Sequence, residues 1–279
     1  MDETDIEARR APRQADRQRA ISEAVMAEGA VRIEQLAERF GISLMTVHRD
    51  LDELESRGLL RKSRGVATAL ASSLVESSDV YRAGQQVAAK RALARAALDF
   101  IEPGQSVFLD DSTTVLQLAK LLSDKAPLTA ITNVLTVMNE LQGMRGISLV
   151  ALGGTFYNWC SAFMGRMTNE AIAKLRADVF VMSTAAITDD TCFFQTPETV
   201  DTKRAMFDSA LTRILLVDHT KFAKRAMHAM ARLDEFDVVI VDAETDAADI
   251  ARLRTEGIKV LIAESTETAT GKREGRKGA

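Results

Sequence analysis

The sequence predicts an α/β protein in two parts, a small helical module at residues 16–70 and a larger domain at residues 84–264. In the first part, short helical patterns alternate with turns. From about residue 84, short apolar or β-branched runs alternate with helical patterns instead. The second alternation is typical of a mostly parallel sheet with helices on both faces. The chain of 279 residues is long enough for two domains with buried cores.

Three further segments differ from these domains in composition. Residues 1–15 are predicted to form a flexible basic arm, since five arginines and one acid, Asp16, fall within residues 9–19. Residues 71–83 are Ser-rich and predict a linker, and residues 265–279 are polar and predict a disordered tail. The first 70 residues carry 12 Lys and Arg against 13 Asp and Glu, so the module is not a basic domain.

Three short helices are predicted in the module, at about 16–28, 32–39 and 44–57. The second has apolar residues at i, i+3, i+4 and i+7, and Gly41 is placed to end it. Ser43 is placed to cap the third. In that third helix the predicted core stripe is Leu44, Val47, Leu51 and Leu54. Helical geometry places Met45, Thr46 and Arg49 on the opposite face, with His48 at the flank.

The outward face of the third helix suits reading of the DNA major groove. Arg can donate two hydrogen bonds to guanine, and Thr can contact a thymine methyl group or a phosphate. The following stretch GLLRKSRGVAT (58–68) places Arg61, Lys62 and Arg64 around a turn between two short extended pieces. This is typical of a wing that sets cations on the phosphate backbone. The alternative is a three-helix domain whose surface charge is merely solvated.

The stretch LAERFGISLMTVHRDLDELESRGLLR resembles the winged helix-turn-helix of the DeoR family of transcriptional regulators. The family pattern has Arg where this chain has His48, which is shorter and mostly neutral at pH 7. The resemblance implies that double-stranded operator DNA is the partner. The residues expected to contact it are Arg17, Arg19, Ser43, Met45, Thr46, His48, Arg49, Arg61, Lys62 and Arg64.

The resemblance continues to about residue 262. It implies a sensor domain similar in fold to ribose-5-phosphate isomerase, which binds a phosphorylated sugar or related metabolite without turnover. Polar residues follow several predicted strands, and ligands of α/β folds bind beyond the carboxyl ends of such strands. The residues expected to line this pocket are Asp110, Ser112, Thr113, Thr114, Asn133, Gly153, Gly154, Lys203, Asp218 and Lys221. Taken singly, each has a plainer interpretation as a turn former, helix cap or solvated side chain.

Two departures from the family pattern concern this pocket. Ser112 stands where the pattern Asp-x-Gly-Thr-Thr has glycine, so its Cβ is expected to crowd the backbone or disfavour a left-handed conformation. The later turn TAAITDDTCFF has no glycine. Its Asp189 and Asp190 add negative charge near the place expected for an anionic ligand.

The composition predicts a cytoplasmic protein. No apolar run reaches the roughly 18 residues of a membrane span, and the charged first residues do not resemble a signal peptide. Cys160 and Cys192 predict two reduced thiols rather than a disulfide or metal site. We expect no cofactor and a homodimer or homotetramer that places recognition helices on operator half-sites.

Two other functions remain open at this stage. One is a sugar-phosphate isomerase, in which Asp110, Asp111 or Asp218 acts as base and Lys203 or Lys221 as electrophile. The other is a DNA-binding regulator whose sensor domain is vestigial and purely structural.

Overall fold

A computed structural model describes residues 14–56, 59–69 and 79–264. The predicted tail, most of the arm and residues 71–78 of the linker lie outside these ranges. The described residues fall into two compact units, the second of which begins at residue 86. None of the described helices combines the length and the apolar character needed to cross a bilayer.

The N-terminal unit is a winged helix-turn-helix, as the sequence predicts. Its three predicted helices are present with bounds shifted by one or two residues. A three-stranded antiparallel sheet in the order β1-β3-β2 completes the unit. The elements are α1 (Gln14–Glu28), β1 (Ala30–Arg32), α2 (Ile33–Phe40), α3 (Leu44–Ser56), β2 (Leu60–Ser63) and β3 (Val66–Ala69).

The core of this unit forms between α1, α2, α3 and the sheet. Val47, Leu51 and Leu54 of α3 are fully buried, as their spacing predicts. The predicted core role of Leu44 is wrong, because its side chain is 48% exposed. Leu44 is the first residue of α3 and lies beyond the edge of this core, and Ile42 packs against the core instead.

The second unit is built on a seven-stranded sheet in the order β15-β14-β12-β9-β4-β5-β6. All neighbouring strands in it are parallel, so the predicted α/β class is confirmed. Its strands are β4 (Ser106–Leu109), β5 (Leu128–Thr132), β6 (Ile147–Ala151), β9 (Ala177–Ser183), β12 (Ala210–Val217), β14 (Val238–Asp242) and β15 (Val260–Ala263).

Helices connect these strands. The helix after β4 ends at residue 119 and a 3-10 turn follows it, and the helix before β12 ends at residue 208. The helices are α4 (Asp79–Gly84), which precedes the unit, then α5 (Val87–Leu98), α6 (Thr113–Ala119), α7 (Leu135–Leu141), α8 (Arg166–Ala173), α9 (Pro197–Asp208) and α10 (Ala247–Thr255).

Two small antiparallel sheets were not predicted from the sequence. One pairs β7 (Thr155–Tyr157) with β8 (Ala162–Met164), and the other has the order β10 (Ala186–Thr188), β11 (Thr191–Phe194), β13 (His228–Arg232).

Cys160 and Cys192 are both buried. Burial raises the pKa of the Cys192 thiol to about 12, so this thiol is protonated at neutral pH.

The strand order reverses direction once. The chain passes from β4 to β5 and β6 on one side, then returns to the other side of β4 with β9 and continues outward to β12, β14 and β15. Loops at the carboxyl ends of β4 and β9 therefore diverge. A crevice at such a reversal is the usual ligand site of open parallel sheets.

Candidate functional site

The start of α3 is held by a local cap. Ser43 Oγ accepts a hydrogen bond from the Thr46 backbone N–H at 3.2 Å and lies 2.9 Å from Thr46 Oγ1. The expected N-cap is therefore present, and both hydroxyl groups bond each other at the helix N-terminus. Met45 (68% exposed), His48 and Arg49 project from the helix into solvent.

The other face of α3 carries a buried carboxylate. Asp50 is 1% exposed and accepts hydrogen bonds from Arg17 Nε at 2.6 Å, Arg17 Nη2 at 3.1 Å and Gln18 Nε2 at 3.2 Å. Hydrogen bonding to Asp50 raises the pKa of Arg17 above its usual value. The guanidinium of Arg17, expected at the DNA, is thus engaged within the unit. Arg19 lies in α1, and its side chain falls outside the described atoms.

The wing is the hairpin of β2 and β3. Arg64 and Gly65 form its two-residue turn with φ of 48° and 77°, the left-handed pair of a type I′ turn. Arg61 and Arg64 are exposed. Lys62 instead forms an ion pair with Asp52 of α3, and its backbone N–H donates to Glu55 at 2.9 Å.

Three of the expected DNA-contacting cations therefore remain available on one unit. Arg49, Arg61 and Arg64 are exposed, and each lacks an ion pair or side-chain hydrogen bond within the described part of the chain. Arg17 and Lys62, by contrast, are paired with carboxylates. The outward face of α3 and the wing thus each present positive charge to solvent.

A buried charge cluster occupies the reversal point between β4 and β9. Asp110, which follows β4, accepts from the Ser112 N–H at 2.9 Å and from the Ser183 N–H, at the end of β9, at 3.1 Å. Lys203 Nζ of α9 lies 2.5 Å from both Asp110 Oδ2 and Asp111 Oδ1. Lys203 and Asp110 are 3% and 1% exposed.

Lys203 is a cation despite its burial. Desolvation disfavours its charged form, but the Coulombic attraction of Asp110 and Asp111 and the hydrogen bonds to them outweigh desolvation and raise the pKa of Lys203. The Phe194 ring lies 4.9 Å from Nζ and adds a cation–π contact. The raised pKa means that Lys203 is a poor proton acceptor.

A second buried lysine, which was not predicted from the sequence, lies at the turn after β4. Lys90 of α5 is 4% exposed, and its Nζ donates to Thr113 Oγ1 at 2.9 Å. A signal was present, because Lys90 shares the buried helical face of Leu93, Ala94 and Ala97. Lys90 thus places a second buried amino group at the turn after β4.

Ser112 does not adopt the left-handed conformation that the glycine of the family pattern suggested for this position. Its backbone is extended, with φ of −80° and ψ of 142°, and its side chain accepts from the Val115 N–H at 3.1 Å. The expected conflict with a left-handed conformation is therefore wrong here, because Ser112 is an ordinary N-cap of α6. Thr113 and Thr114 are both buried.

The remaining residues expected in the pocket follow other strands and make separate contacts. Asn133 is buried after β5, and its Nδ2 donates to the Phe163 carbonyl at 2.7 Å. After β12, Lys221 Nζ lies 3.7 Å from Asp218 Oδ2, and Asp218 is buried. The described contacts join neither Asn133 nor Asp218 directly to the Asp110–Lys203 cluster.

The two glycines after β6 differ in their surroundings. A Cβ on Gly154 would lie 2.1 Å from Thr168 Oγ1 and 2.9 Å from the Met164 carbonyl oxygen. A Cβ on Gly153 would meet no atom within 4 Å. Close packing against α8 therefore requires glycine at 154.

The hairpin turn between β10 and β11 adopts left-handed backbone without glycine. Asp189 and Asp190 have φ of 47° and 55°. Asp190 forms an ion pair with Arg252, so its charge is balanced within the domain.

His219, which follows β12, has its Nδ1 2.7 Å from Asp242 Oδ2. That hydrogen bond raises the pKa of His219 above its usual value.

Within residues 14–56, 59–69 and 79–264, no three His, Cys, Asp or Glu side chains are grouped so that they could hold a metal ion.

Comparison with known proteins matches both units. A family model described as the DeoR-like helix-turn-helix domain matches residues 17–73, and one described as the DeoR C terminal sensor domain matches residues 85–243. The transcriptional repressor AccR of Agrobacterium fabrum is 33% identical over 232 residues, covering 82% of this chain and 90% of that protein. The glycerol-3-phosphate regulon repressor of Escherichia coli K12 is 32% identical, covering 83% and 92%.

One solved structure similar to this chain is a D-ribose-5-phosphate isomerase in complex with phospho-erythronic acid. It matches at 18% identity with a TM-score of 0.36, over 48% of this chain and 52% of that one. Since the sensor-domain model alone spans more than half of the sequence, and relatives above 30% identity match over most of their length, the chain belongs to the DeoR family of transcriptional regulators.

Proposed function

We propose that this protein is a sequence-specific DNA-binding repressor whose operator affinity is controlled by a phosphorylated sugar. The observation that carries the DNA-binding part is a set of exposed arginines on α3 and the wing, Arg49, Arg61 and Arg64, which form no ion pair with any residue that the structure describes. A core-packed α3 presents Arg49 for base contact, while the wing arginines contact phosphates. Arg17 acts by holding Asp50 rather than by touching DNA.

The operator is then bound by a homodimer or homotetramer with recognition helices on successive half-sites. The protein acts in the cytoplasm, where bacterial operators are found. The proposal is supported by relatives whose names describe repressors of sugar-related systems, among them the Staphylococcus aureus lactose phosphotransferase system repressor and the Escherichia coli glycerol-3-phosphate regulon repressor.

The test is a gel-shift titration of the Arg49→Ala variant on an operator selected with the wild-type chain. Loss of a bidentate guanine contact costs about 1–3 kcal/mol, or roughly 5- to 150-fold in affinity, and relaxes specificity at that position. Arg91→Ala, which removes an exposed arginine of α5, is the matched control and should bind like wild type. Unchanged affinity of Arg49→Ala would remove the proposed role of α3.

The effector is proposed to bind at the reversal point between β4 and β9. Support comes from the two buried lysines, Lys90 and Lys203, and the carboxylates Asp110 and Asp111. Lysines suit a phosphate group, and carboxylates suit sugar hydroxyl groups. We propose that the protein has two arrangements, one that binds the operator and one that does not. A ligand that binds the second more tightly shifts the equilibrium toward it, by an amount set by the difference in affinity, and so releases the operator.

A thermal-shift screen with phosphorylated sugars and polyols tests this site. A ligand at 100 times its Kd stabilises the folded protein by about 2.7 kcal/mol. The Lys90→Gln variant keeps a donor for Thr113 but removes the charge, so it should lose most of the shift. If no phosphorylated sugar stabilises the wild type, the sensor domain is vestigial and purely structural.

We further propose that the chain does not catalyse isomerisation. Asp110 already accepts hydrogen bonds from the Ser112 and Ser183 N–H groups and pairs with Lys203, so its carboxylate oxygens are engaged within the domain. A coupled assay with ribose 5-phosphate should detect no turnover. Turnover that disappears in Asp110→Asn would restore the isomerase interpretation.

A further inference from the structure

Two large apolar side chains are exposed together at the start of the proposed recognition helix. Leu44 is 48% exposed and Met45 is 68% exposed. Among the side chains described in residues 14–56 and 59–69, they are the only exposed large apolar ones. Single exposed apolar residues are common on protein surfaces, but an adjacent pair confined to this position indicates a contact surface.

The helix holds these side chains in a defined position. Val47, Leu51 and Leu54 fix the inner face of α3 in the core, and Asp50 ties the helix to α1 through Arg17. At the N-terminus, the bond from the Thr46 N–H to Ser43 Oγ caps the first turn. Leu44 and Met45 therefore project from a rigid end of α3, on the turn before the exposed Arg49.

The chemistry of the major groove limits what such side chains can select. Leu and Met neither donate nor accept strong hydrogen bonds, and the 5-methyl group of thymine is the one apolar group that unmodified base pairs present there. A guanine, cytosine or adenine edge placed against them would lose water from its polar atoms without a replacement partner.

We propose that Leu44 and Met45 are specificity-determining residues that contact the 5-methyl group of thymine in each operator half-site. This inference rests on the proposed function, since it requires that α3 enters the major groove. Arg49, one turn further along, reads a neighbouring polar edge. The selected half-site therefore contains at least one thymine whose methyl group, and not only its hydrogen-bonding pattern, is required.

The experiment replaces thymine by uracil, which removes the methyl group and leaves base pairing unchanged. Random-sequence duplexes are first enriched with the full-length chain. Each thymine of the enriched site is then replaced in turn, and Kd is measured by fluorescence anisotropy. Burial of one methyl group corresponds to roughly a fourfold change in Kd. We expect a loss of about that size at one or two positions of each half-site.

The Leu44→Ala/Met45→Ala double variant completes the test. Both side chains are exposed, so the variant should unfold at the wild-type temperature, and it should bind thymine and uracil duplexes equally. Met167→Ala, which shortens a methionine that is 73% exposed on α8, is the matched control and should keep the uracil penalty.

Three results would overturn the inference. The wild type could bind with unchanged Kd when uracil replaces thymine at every position, the loss of affinity on uracil could persist in the double variant, or the enriched site could contain no thymine. Each of these still shows selective DNA binding. Failure to enrich any sequence would instead contradict the proposed function itself.

Discussion

Replacing Lys203 by Met should destabilise the sensor domain strongly. The substitution keeps the volume of the side chain but removes the ammonium that lies 2.5 Å from Asp110 and from Asp111. Both carboxylates are buried, so two negative charges lose their counter-ion in a site with little access to water. Breaking a buried ion pair in this way costs about 3–5 kcal/mol.

The expected change in melting temperature follows from domain size. For a domain of about 150–250 residues, each kcal/mol shifts Tm by about 2–4 °C, so Lys203→Met should lower the Tm of the sensor domain by about 6–20 °C. Circular dichroism during heating of the full chain measures this. Arg166→Met is the control, because the Arg166–Glu170 pair is exposed and contributes less than about 1 kcal/mol.

A rescue variant separates charge from packing. Combining Lys203→Met with Asp110→Asn and Asp111→Asn removes the uncompensated charges, so it should recover part of the lost stability. The explanation by buried charge would be refuted if Lys203→Met melted within a few degrees of Arg166→Met. It would equally be refuted if the triple variant were no more stable than the single one.

Three further predictions concern other parts of the chain. Gly154→Ala should lower the free energy of unfolding, measured with urea, by about 1–3 kcal/mol, because the added Cβ would collide with Thr168 and with the Met164 carbonyl oxygen. Gly153→Ala is the control and should be close to neutral, since its Cβ would meet no atom within 4 Å. Arg17→Ala should lower the stability of the N-terminal unit by about 3 kcal/mol, since it leaves a buried aspartate without its main partner; equal stability would mean that water replaces the guanidinium. Because the folded-state pKa of His219 is raised, its protonated form stabilises the protein below pH 6.5, and this contribution is lost as pH rises through the raised pKa. The stability difference between wild type and His219→Asn, taken from urea titrations at several pH values, should therefore shrink as pH rises above 6.5 through the raised pKa, and a constant difference would contradict the link to Asp242.

Much of the fold could be predicted from sequence because its main elements have strong local patterns. The run VVIVD forms β14 (238–242). Every one of its residues is buried, as expected for an apolar run in a parallel sheet that helices cover on both faces. The strands β7, β8 and β10 could not be predicted in this way. Each has three residues, and their pairing depends on partners that the tertiary fold supplies.

In the candidate sites, too, local features could be predicted from the sequence and long-range contacts could not. Sequence patterns identified the cap at Ser43 and the outward position of Arg49, because both follow from the helix itself. They could not show that Arg17 is engaged by Asp50, which lies 33 positions away in the chain. Asp110 and Lys203 are 93 positions apart, so only the parallel sheet order explains why they meet.

The division of α3 into an inner and an outer face has a practical consequence for engineering. Positions 47, 51 and 54 supply the buried area, whereas positions 44, 45, 48 and 49 lie in solvent. If α3 binds the operator as proposed, sequence preference and stability are therefore carried by separate positions of the same thirteen-residue helix. Transplanting the four outer side chains from another regulator of this fold should reprogram the target sequence while leaving the melting temperature nearly unchanged.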